Sequence, residues 1–359
     1  MRKSRFDIVV IGAGPAGAST SYFSKYFDRD NELDVLLVES LSKEKFDRYH
    51  SMCGEVVSAL ILKDFPNIDI YPFIKNKIDK VVEQWHDITI ESKLKGFVLD
   101  RPKFLQHLIG KFREMGGYFL NDKFIKIRVR NEKIKILMKS GKTVETRYLV
   151  LATGPNLPEL SFISGLKVDT LKTLLCQVLV EEHPIEENHI FFFYDEKYKG
   201  DYKWVFPYGS YVKIGTPFEN RMELPEKNVI RKDVKPVCCG ILKRYNMGNI
   251  LLVGDAAFQN NALTKGGIRI AINAGKLAAK SIVTYNDPAR YSKLWEKSKY
   301  FGKIYLDTYR RLSKMKNKEI SHHCKPLRYF PLSLPIIFLK YKKYADLYKA
   351  YNLSSKYGW

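Results

Sequence analysis

The chain has 359 residues, 45% of them hydrophobic, which suits one large core or two modest domains and argues against wholesale disorder. Its 61 Lys and Arg against 39 Asp and Glu leave a formal charge of +22, an excess that a balanced ion-pair surface would not carry and that favours anionic surfaces such as lipid headgroups, nucleic acid or an acidic redox partner. Five cysteines, odd in number and without a C-x-x-C pair, argue against a disulfide or zinc framework, and His322-His323-Cys324 has no second cluster with which to hold a metal.

Taken in order, Arg2, Lys3 and Arg5 precede an apolar run that superficially suggests an export signal. The run Phe6 to Ile11 ends at once in Gly12-Ala13-Gly14, so it reads as a buried strand. Pro15 to Phe27 carries small and aromatic residues at helical spacing, and Asp34 to Glu39 is a second buried strand. The three make a unit of about forty residues, the size of a strand–helix–strand repeat. Residues 41–95 read as irregular. Pro102 to Met115 predicts a helix, with Leu105, Leu108, Ile109 and Phe112 on one face. Lys123 to Leu137 and Thr143 to Val150 read as strands, the last running into Ala152-Thr153-Gly154. Residues 156–245 are rich in β-formers, with sheet expected at Ile190 to Tyr194 and Trp204 to Thr216. A strand–glycine pattern returns at Asn249 to Val253, followed by Gly254-Asp255 and a helix from Ile268 to Ile282. The tail from 290 onward reads as helical. Over 281–359 there are 17 Lys and Arg against 5 Asp and Glu, so this fifth of the chain holds +12 of the +22.

Gly12-Ala13-Gly14-Pro15-Ala16-Gly17 fits G-x-G-x-x-G, and each glycine has a physical task. Gly12 allows a tight turn, Gly14 a close backbone approach to a pyrophosphate, and Gly17 close packing of helix on strand. The free N–H groups and positive dipole end of the helix face the phosphates. Glu39 ends the second strand 22 residues beyond Gly17, near the ~20 expected of a carboxylate on an adenosine ribose. A dinucleotide is expected; the motif alone does not choose between FAD and NAD. The expected architecture is α/β: a Rossmann-like nucleotide domain (1–62, 96–155 and 246–290), an inserted β-rich α+β substrate domain (63–95 and 156–245), and a helical basic C-terminal region (291–359).

The segment Asn249 to Ala279, NILLVGDAAFQNNALTKGGIRIAINAGKLAA, resembles the second FAD signature of the flavoprotein superfamily that contains aromatic hydroxylases, halogenases and geranylgeranyl reductases. The resemblance implies FAD as cofactor, with Gly254 and Asp255 at its ribityl or pyrophosphate region and Gly266 and Gly267 in a turn facing the isoalloxazine. A helix dipole there would stabilise negative charge on reduced flavin. Gly154 and Arg101, in Ala152-Thr153-Gly154 and Asp100-Arg101, match two further cofactor-contacting segments of the superfamily. Tyr202-Lys203-Trp204-Val205-Phe206-Pro207 resembles the Y-x-W-x-F-P signature of geranylgeranyl reductases, and Met52-Cys53-Gly54-Glu55 resembles the Cys-Gly segment those enzymes place beside the flavin. The resemblance covers most of residues 1–285. It implies stepwise saturation of isoprenoid double bonds in lipid precursors, with Cys53 as the candidate catalytic residue.

Read as residues, Tyr202, Trp204 and Phe206 present three rings to one side of a strand, which suits either an apolar wall for a polyene or ordinary sheet core. Cys53 is either inert packing or a thiol that supplies a proton or tunes the cofactor. No second nucleotide motif marks the electron donor, NAD(P)H or a ferredoxin-like protein. Three residues depart from the family pattern: Ala262 where a proline is usual, Lys265 where a glycine is, and Phe258 where a small residue is. Glycine takes positive φ more cheaply than lysine, so the turn is expected to be reshaped, with the Lys265 ammonium free to meet flavin or a substrate phosphate. These departures keep two alternatives open, a monooxygenase or halogenase of the same fold and a non-catalytic FAD- or lipid-binding homologue.

In the tail, Lys325 to Lys343 combines Pro326, Pro331 and Pro335 with Leu332, Ile336, Ile337, Phe338 and Leu339, followed by Lys340, Lys342 and Lys343. Such a segment suits a headgroup interface or a helix packed on the nucleotide domain. Its apolar stretch is too short to span a membrane, no nucleic-acid module accompanies the charge, and the expectation is a cytoplasmic protein that can sit peripherally on the inner membrane face.

Overall fold

A computed structural model of the protein describes residues 3–130, 133–155, 165–181, 185–329 and 332–359. Arg2, Pro331 and the first residues of the 156–245 stretch lie outside the described residues.

The first sheet runs in the order Asn246–Met247, Ile250–Leu252, Thr143–Leu151, Arg5–Ile11, Val35–Glu39, Tyr118–Asn121. Every pairing from Ile250–Leu252 to Tyr118–Asn121 is parallel. Its strands are near-continuous runs such as Ile8-Val9-Val10-Ile11 and Val35-Leu36-Leu37-Val38, all buried, because both faces of a parallel sheet are covered. Pro15–Phe27, packed against both Arg101–Glu114 and Ile268–Val283, forms a helical layer on the sheet. Arg101–Glu114 starts one residue before the expected Pro102, with the Asp100 carboxylate accepting from the Lys103 N–H at 3.4 Å. It sinks Phe104, Leu105, Leu108 and Phe112 into the core. The stretch Lys123 to Leu137 folds as a hairpin, Phe124–Arg130 with Lys133–Met138, added antiparallel to Thr143–Leu151.

The second sheet runs Val229–Leu242, Lys167–Glu181, Tyr211–Pro217, Lys203–Tyr208, His189–Tyr194, Ile74–Trp85, Ile88–Leu99, Val56–Ser58. It is antiparallel except where His189–Tyr194 runs parallel to Ile74–Trp85. Two twelve-residue strands, Ile74–Trp85 and Ile88–Leu99, therefore occupy the region read as irregular, and Lys43–His50 is helical. Lysines and acids between the inward apolar residues hide the alternation, as in Ile78, Val81 and Trp85 among Lys77, Asp79 and Lys80. The sheet also takes in Val56–Ser58 and runs on to Leu99, so the strands do not divide at residues 62 and 95. Trp204 to Thr216 turns back at Gly209, whose φ is +65°.

The tail helices Arg290–Glu296, Lys303–Leu312, Asn317–Cys324, Leu334–Lys340 and Ala345–Tyr357 form a helical lobe. Part of it packs on the far end of the second sheet, where Trp85, Ile88 and Ile90 meet Tyr305, Leu306, Leu312, Cys324 and Leu347. Among the described residues, no helix is long and apolar enough to cross a membrane.

Candidate functional site

A single cavity of about 780 Å³ is lined from both sheets and from the helical lobe. At one end lies the first glycine turn. Gly12 has φ +95°, and a Cβ there would stand 2.4 Å from the Ala152 carbonyl oxygen. A Cβ on Gly17 would stand 1.7 Å from the Gly12 carbonyl oxygen, so Gly17 packs beneath the cavity rather than lining it. Gly14 is the N-cap of Pro15–Phe27, and the backbone N–H groups of the first turn, Pro15 aside, are free for an anion. Gly154 and Gly254 also take left-handed φ, +74° and +73°. Glu39 is buried; its Oε2 accepts from the Ala13 N–H and its Oε1 from the Leu41 N–H, both at 2.8 Å. Gly12, Gly14, Pro15, Ala16 and Glu39 all line this end.

The middle of the cavity holds a charged group. Asp255 follows the strand Ile250–Leu252 and accepts from Asn260 Nδ2 at 3.0 Å. Burial pushes its carboxyl up, opposed by the Lys235 ammonium. Lys235 lies over the Tyr49 ring at 4.2 Å. Burial, helped by the Arg101 charge, lowers its ammonium to about 8. Arg101 donates through Nε to the His50 carbonyl at 2.5 Å. Burial holds the His50 imidazole well below its ordinary value, so it is neutral. Three buried polar atoms among these cavity-lining residues, Arg101 Nη2, His50 Nδ1 and Thr153 Oγ1, have no partner. Buried polar groups are normally satisfied, so these atoms, with the glycine cradle, fit a polar ligand such as a dinucleotide pyrophosphate and ribityl chain.

The second glycine turn, Ala262 to Gly267, leads into Ile268–Val283 with Gly267 as N-cap. A Cβ on Gly267 would stand 1.9 Å from Asn260 Oδ1, and one on Gly266 2.3 Å from the Gly358 carbonyl oxygen. Lys265 takes φ +50° in place of glycine. Its ammonium is not free for an anion: it pairs with Asp201 at 2.8 Å, donates to the Ala262 carbonyl at 2.8 Å and lies 3.9 Å from the Tyr309 ring centroid. Phe258 is likewise left-handed, φ +58°. Tyr202 donates its hydroxyl to the Thr264 carbonyl, fastening the turn to the second sheet.

Cys53 is half-buried and lines the cavity. Its loop is braced by a pair that the sequence reading missed. Glu55, at φ +60°, and Lys213 are both fully buried and form an ion pair. The Lys213 ammonium also donates to the Cys53 carbonyl at 2.8 Å and the Ser51 carbonyl at 3.1 Å. A signal was available: Lys213 is a lone cation in the β-forming run Tyr211–Pro217, directly between Val212 and Ile214. Gly54 is pressed by Phe206, whose ring would lie 2.6 Å from an added Cβ.

Beyond Cys53 the cavity becomes an aromatic chamber. Tyr202, Trp204 and Phe206 line it, whereas Pro207 does not. Pro207 pairs with Val212 on the hairpin, and its neighbour Val205 points into a separate core with Val212 and Ile214. The wall continues across the neighbouring strands through Ile190, Phe192 and Tyr194 and then Val81, Glu83 and Trp85. Tyr351 and Trp359 of the helical lobe also line it.

No family model matches the chain. The digeranylgeranylglycerophospholipid reductase of Methanococcus aeolicus is 25% identical over 361 residues, covering 89% of each chain. A second of the same name from Methanopyrus kandleri is 26% identical over 370 residues, covering 88% of this chain and 89% of that one. Over most of its length the chain is thus similar to proteins named digeranylgeranylglycerophospholipid reductase. Among solved structures, a geranylgeranyl bacteriochlorophyll reductase-like protein from Thermoplasma acidophilum matches 98% of this chain and 99% of its own, with a TM-score of 0.75 at 20% identity. The myxobacterial chondrochloren halogenase, an FAD-dependent enzyme, matches 82% of this chain and 79% of its own, with a TM-score of 0.62 at 14% identity. The fold is thus the Rossmann-like flavoprotein fold shared by geranylgeranyl reductase-like proteins and halogenases.

Proposed function

We propose that the protein is an FAD-dependent reductase that saturates C=C bonds of geranylgeranyl chains in lipid precursors. The observation that carries this reading is one continuous cavity joining a dinucleotide cradle to an aromatic chamber. The first glycine turn and Glu39 would hold the adenosine and pyrophosphate, and Asp255, Arg101 and Gly154 the ribityl region. Gly266 and Gly267 would face the ring. When bound and reduced, FAD supplies hydride to one alkene carbon. The chain's residues supply the rest. Lys213 and Glu55 fix the Cys53 loop, and the Cys53 thiol holds the proton that the second carbon takes. Tyr202, Trp204 and Phe206 keep water out and lay the polyene against the cofactor. Lys265 does not oppose this, because Asp201 holds its ammonium.

The same reading includes peripheral seating on an anionic lipid surface. Leu332 and Leu339 are 86% and 82% exposed, Ile336 is half-exposed, and Lys340, Lys342 and Lys343 follow. Leu327, just before this segment, lines the chamber, so lipid would enter beside the seating face. NAD(P)H or a ferredoxin-like protein would recharge the flavin.

The test is anaerobic. The dithionite-reduced protein is mixed with a geranylgeranylated phospholipid, and flavin absorbance and lipid mass are followed. Flavin reoxidation with a mass gain of about 2 per double bond, one hydride plus one proton, is the expected result. Bound FAD and bound lipid without reoxidation would overturn the reading. Lipid-stimulated oxygen consumption without saturation would replace it with a monooxygenase or halogenase.

A further inference from the structure

One side chain in the chamber does not suit a purely hydrocarbon ligand. Glu83 lies on Ile74–Trp85, whose register places it beside Phe192, which in turn faces Trp204. Trp204, Phe192 and Glu83 therefore form one row across three adjacent strands, all lining the cavity. Val81 and Trp85 flank Glu83 on the same face, and Trp85 stacks on Tyr194 with ring centroids 3.7 Å apart. Among the described residues, the Glu83 carboxyl has no hydrogen bond and no ion pair. Burial alone pushes it up to about 7. A second polar group is unmet nearby in the same wall: Trp85 is buried and its indole N–H has no partner. The neighbouring Tyr351 hydroxyl is already paired with His323 Nε2 at 3.0 Å.

A half-buried carboxyl lining the cavity and a buried N–H, both without partners, suit a hydrocarbon ligand poorly, and apolar side chains would line such a site better. Together they offer an acceptor and a donor to something that enters the chamber. A cation is disfavoured by the net charge of +22 and by Lys93 in the cavity lining. An anion is disfavoured by Glu83 itself. A neutral hydroxyl both donates and accepts.

We propose that Glu83, with Trp85, forms a polar subsite inside the chamber that takes the terminal hydroxyl of a free prenyl alcohol, a group that the same chain linked in a phospholipid lacks. The subsite rests on the reading of the chamber as an isoprenoid site and adds which end of the ligand goes deep. Glu83 sits two strands from Trp204, about 10 Å at the usual strand spacing, so it would measure the chain and set which double bond reaches the cofactor.

The experiment is a binding titration on the oxidised holoprotein, read by tryptophan fluorescence, with geranylgeraniol and its deoxy analogue ending in methyl. The native protein should bind the alcohol about tenfold or more tightly than the deoxy compound, as sites built around a hydroxyl do. Glu83→Leu should erase that preference and bind the deoxy compound better than the native protein does, while Glu83→Gln should keep part of it. Retained flavin absorbance and circular dichroism establish that each variant is folded. Equal affinity of the native protein for the two compounds, or a preference that survives in Glu83→Leu, overturns the subsite and leaves the isoprenoid chamber standing. Failure of the native protein to bind either compound overturns the chamber reading as well.

Discussion

The two turns that bring backbone into the cavity meet the same steric demand differently. Gly12 to Gly17 relies on missing atoms: a Cβ at Gly17 would lie inside the Gly12 carbonyl, and no rearrangement of a side chain relieves that. The turn Ala262 to Gly267 keeps a lysine at φ +50°. Left-handed backbone costs a non-glycine residue roughly 1 kcal/mol, which the buried contacts of Lys265 with Asp201, Ala262 and Tyr309 offset. Glu55, at φ +60°, follows the second pattern with Lys213 as its partner. Where space forbids an atom, glycine is obligatory; where only the angle is needed, a tethered side chain suffices.

The sharpest way to break this comparison is Gly17→Val. It should cost more than about 4 kcal/mol, as severe steric lesions do, and yield protein that purifies without flavin absorbance. A yellow, stable Gly17→Val protein would mean the turn has slack that the geometry denies. Next comes Lys213→Met, which leaves the buried Glu55 with Arg101, 3.9 Å away, as its remaining cation and should cost about 3 kcal/mol in urea unfolding. The double variant Lys213→Met with Glu55→Leu should recover most of that loss, and no recovery would show that the pair is not what holds the loop. Smaller again is Lys265→Gly, which relieves the φ but strands Asp201, for a net loss of about 2 kcal/mol. Adding Asp201→Asn should bring thermal stability back to the native level or slightly above it.

Glu83, a half-buried carboxyl facing the cavity with no cation beside it, should behave oppositely with pH. Its ordinary value of 4.5 is raised to about 7 in the folded protein. The folded state therefore binds a proton that the unfolded state has released. The favourable contribution is complete below about 4.5 and is lost as pH rises through about 7. Glu83→Gln should flatten the stability profile between these values by about 2 kcal/mol, measured as unfolding free energy at pH 5 and pH 8. An unchanged slope would place the carboxyl in water.

The nucleotide half was legible because its demands fall on backbone and on single residue types. Gly12, Gly14, Gly17 and Glu39 each have one local reason to be where they are. The strands Ile74–Trp85 and Ile88–Leu99 were missed because their solvent-facing lysines break the apolar pattern over residues that pair with distant strands. The Glu55–Lys213 pair joins residues 158 apart in sequence, a contact that no local spacing announces. Pro207 was grouped with the rings by motif, whereas strand alternation turns it to the other face. The Lys265 ammonium was expected to reach a ligand because Asp201, its partner, lies far off in sequence.

The parallel seam between Ile74–Trp85 and His189–Tyr194 has a consequence for how the protein comes to be folded. The hairpins on either side of it, Ile74–Trp85 with Ile88–Leu99 and His189–Tyr194 with Lys203–Tyr208, are joined by two and eight residues, but this seam closes a loop of roughly a hundred residues, and such long-range closure is slow. The aromatic chamber is thus completed after its individual hairpins form. Until then Phe192, Tyr194 and Trp85 stand open to solvent as a sticky edge, so a slow step seen in tryptophan fluorescence during refolding belongs to the closing of this seam.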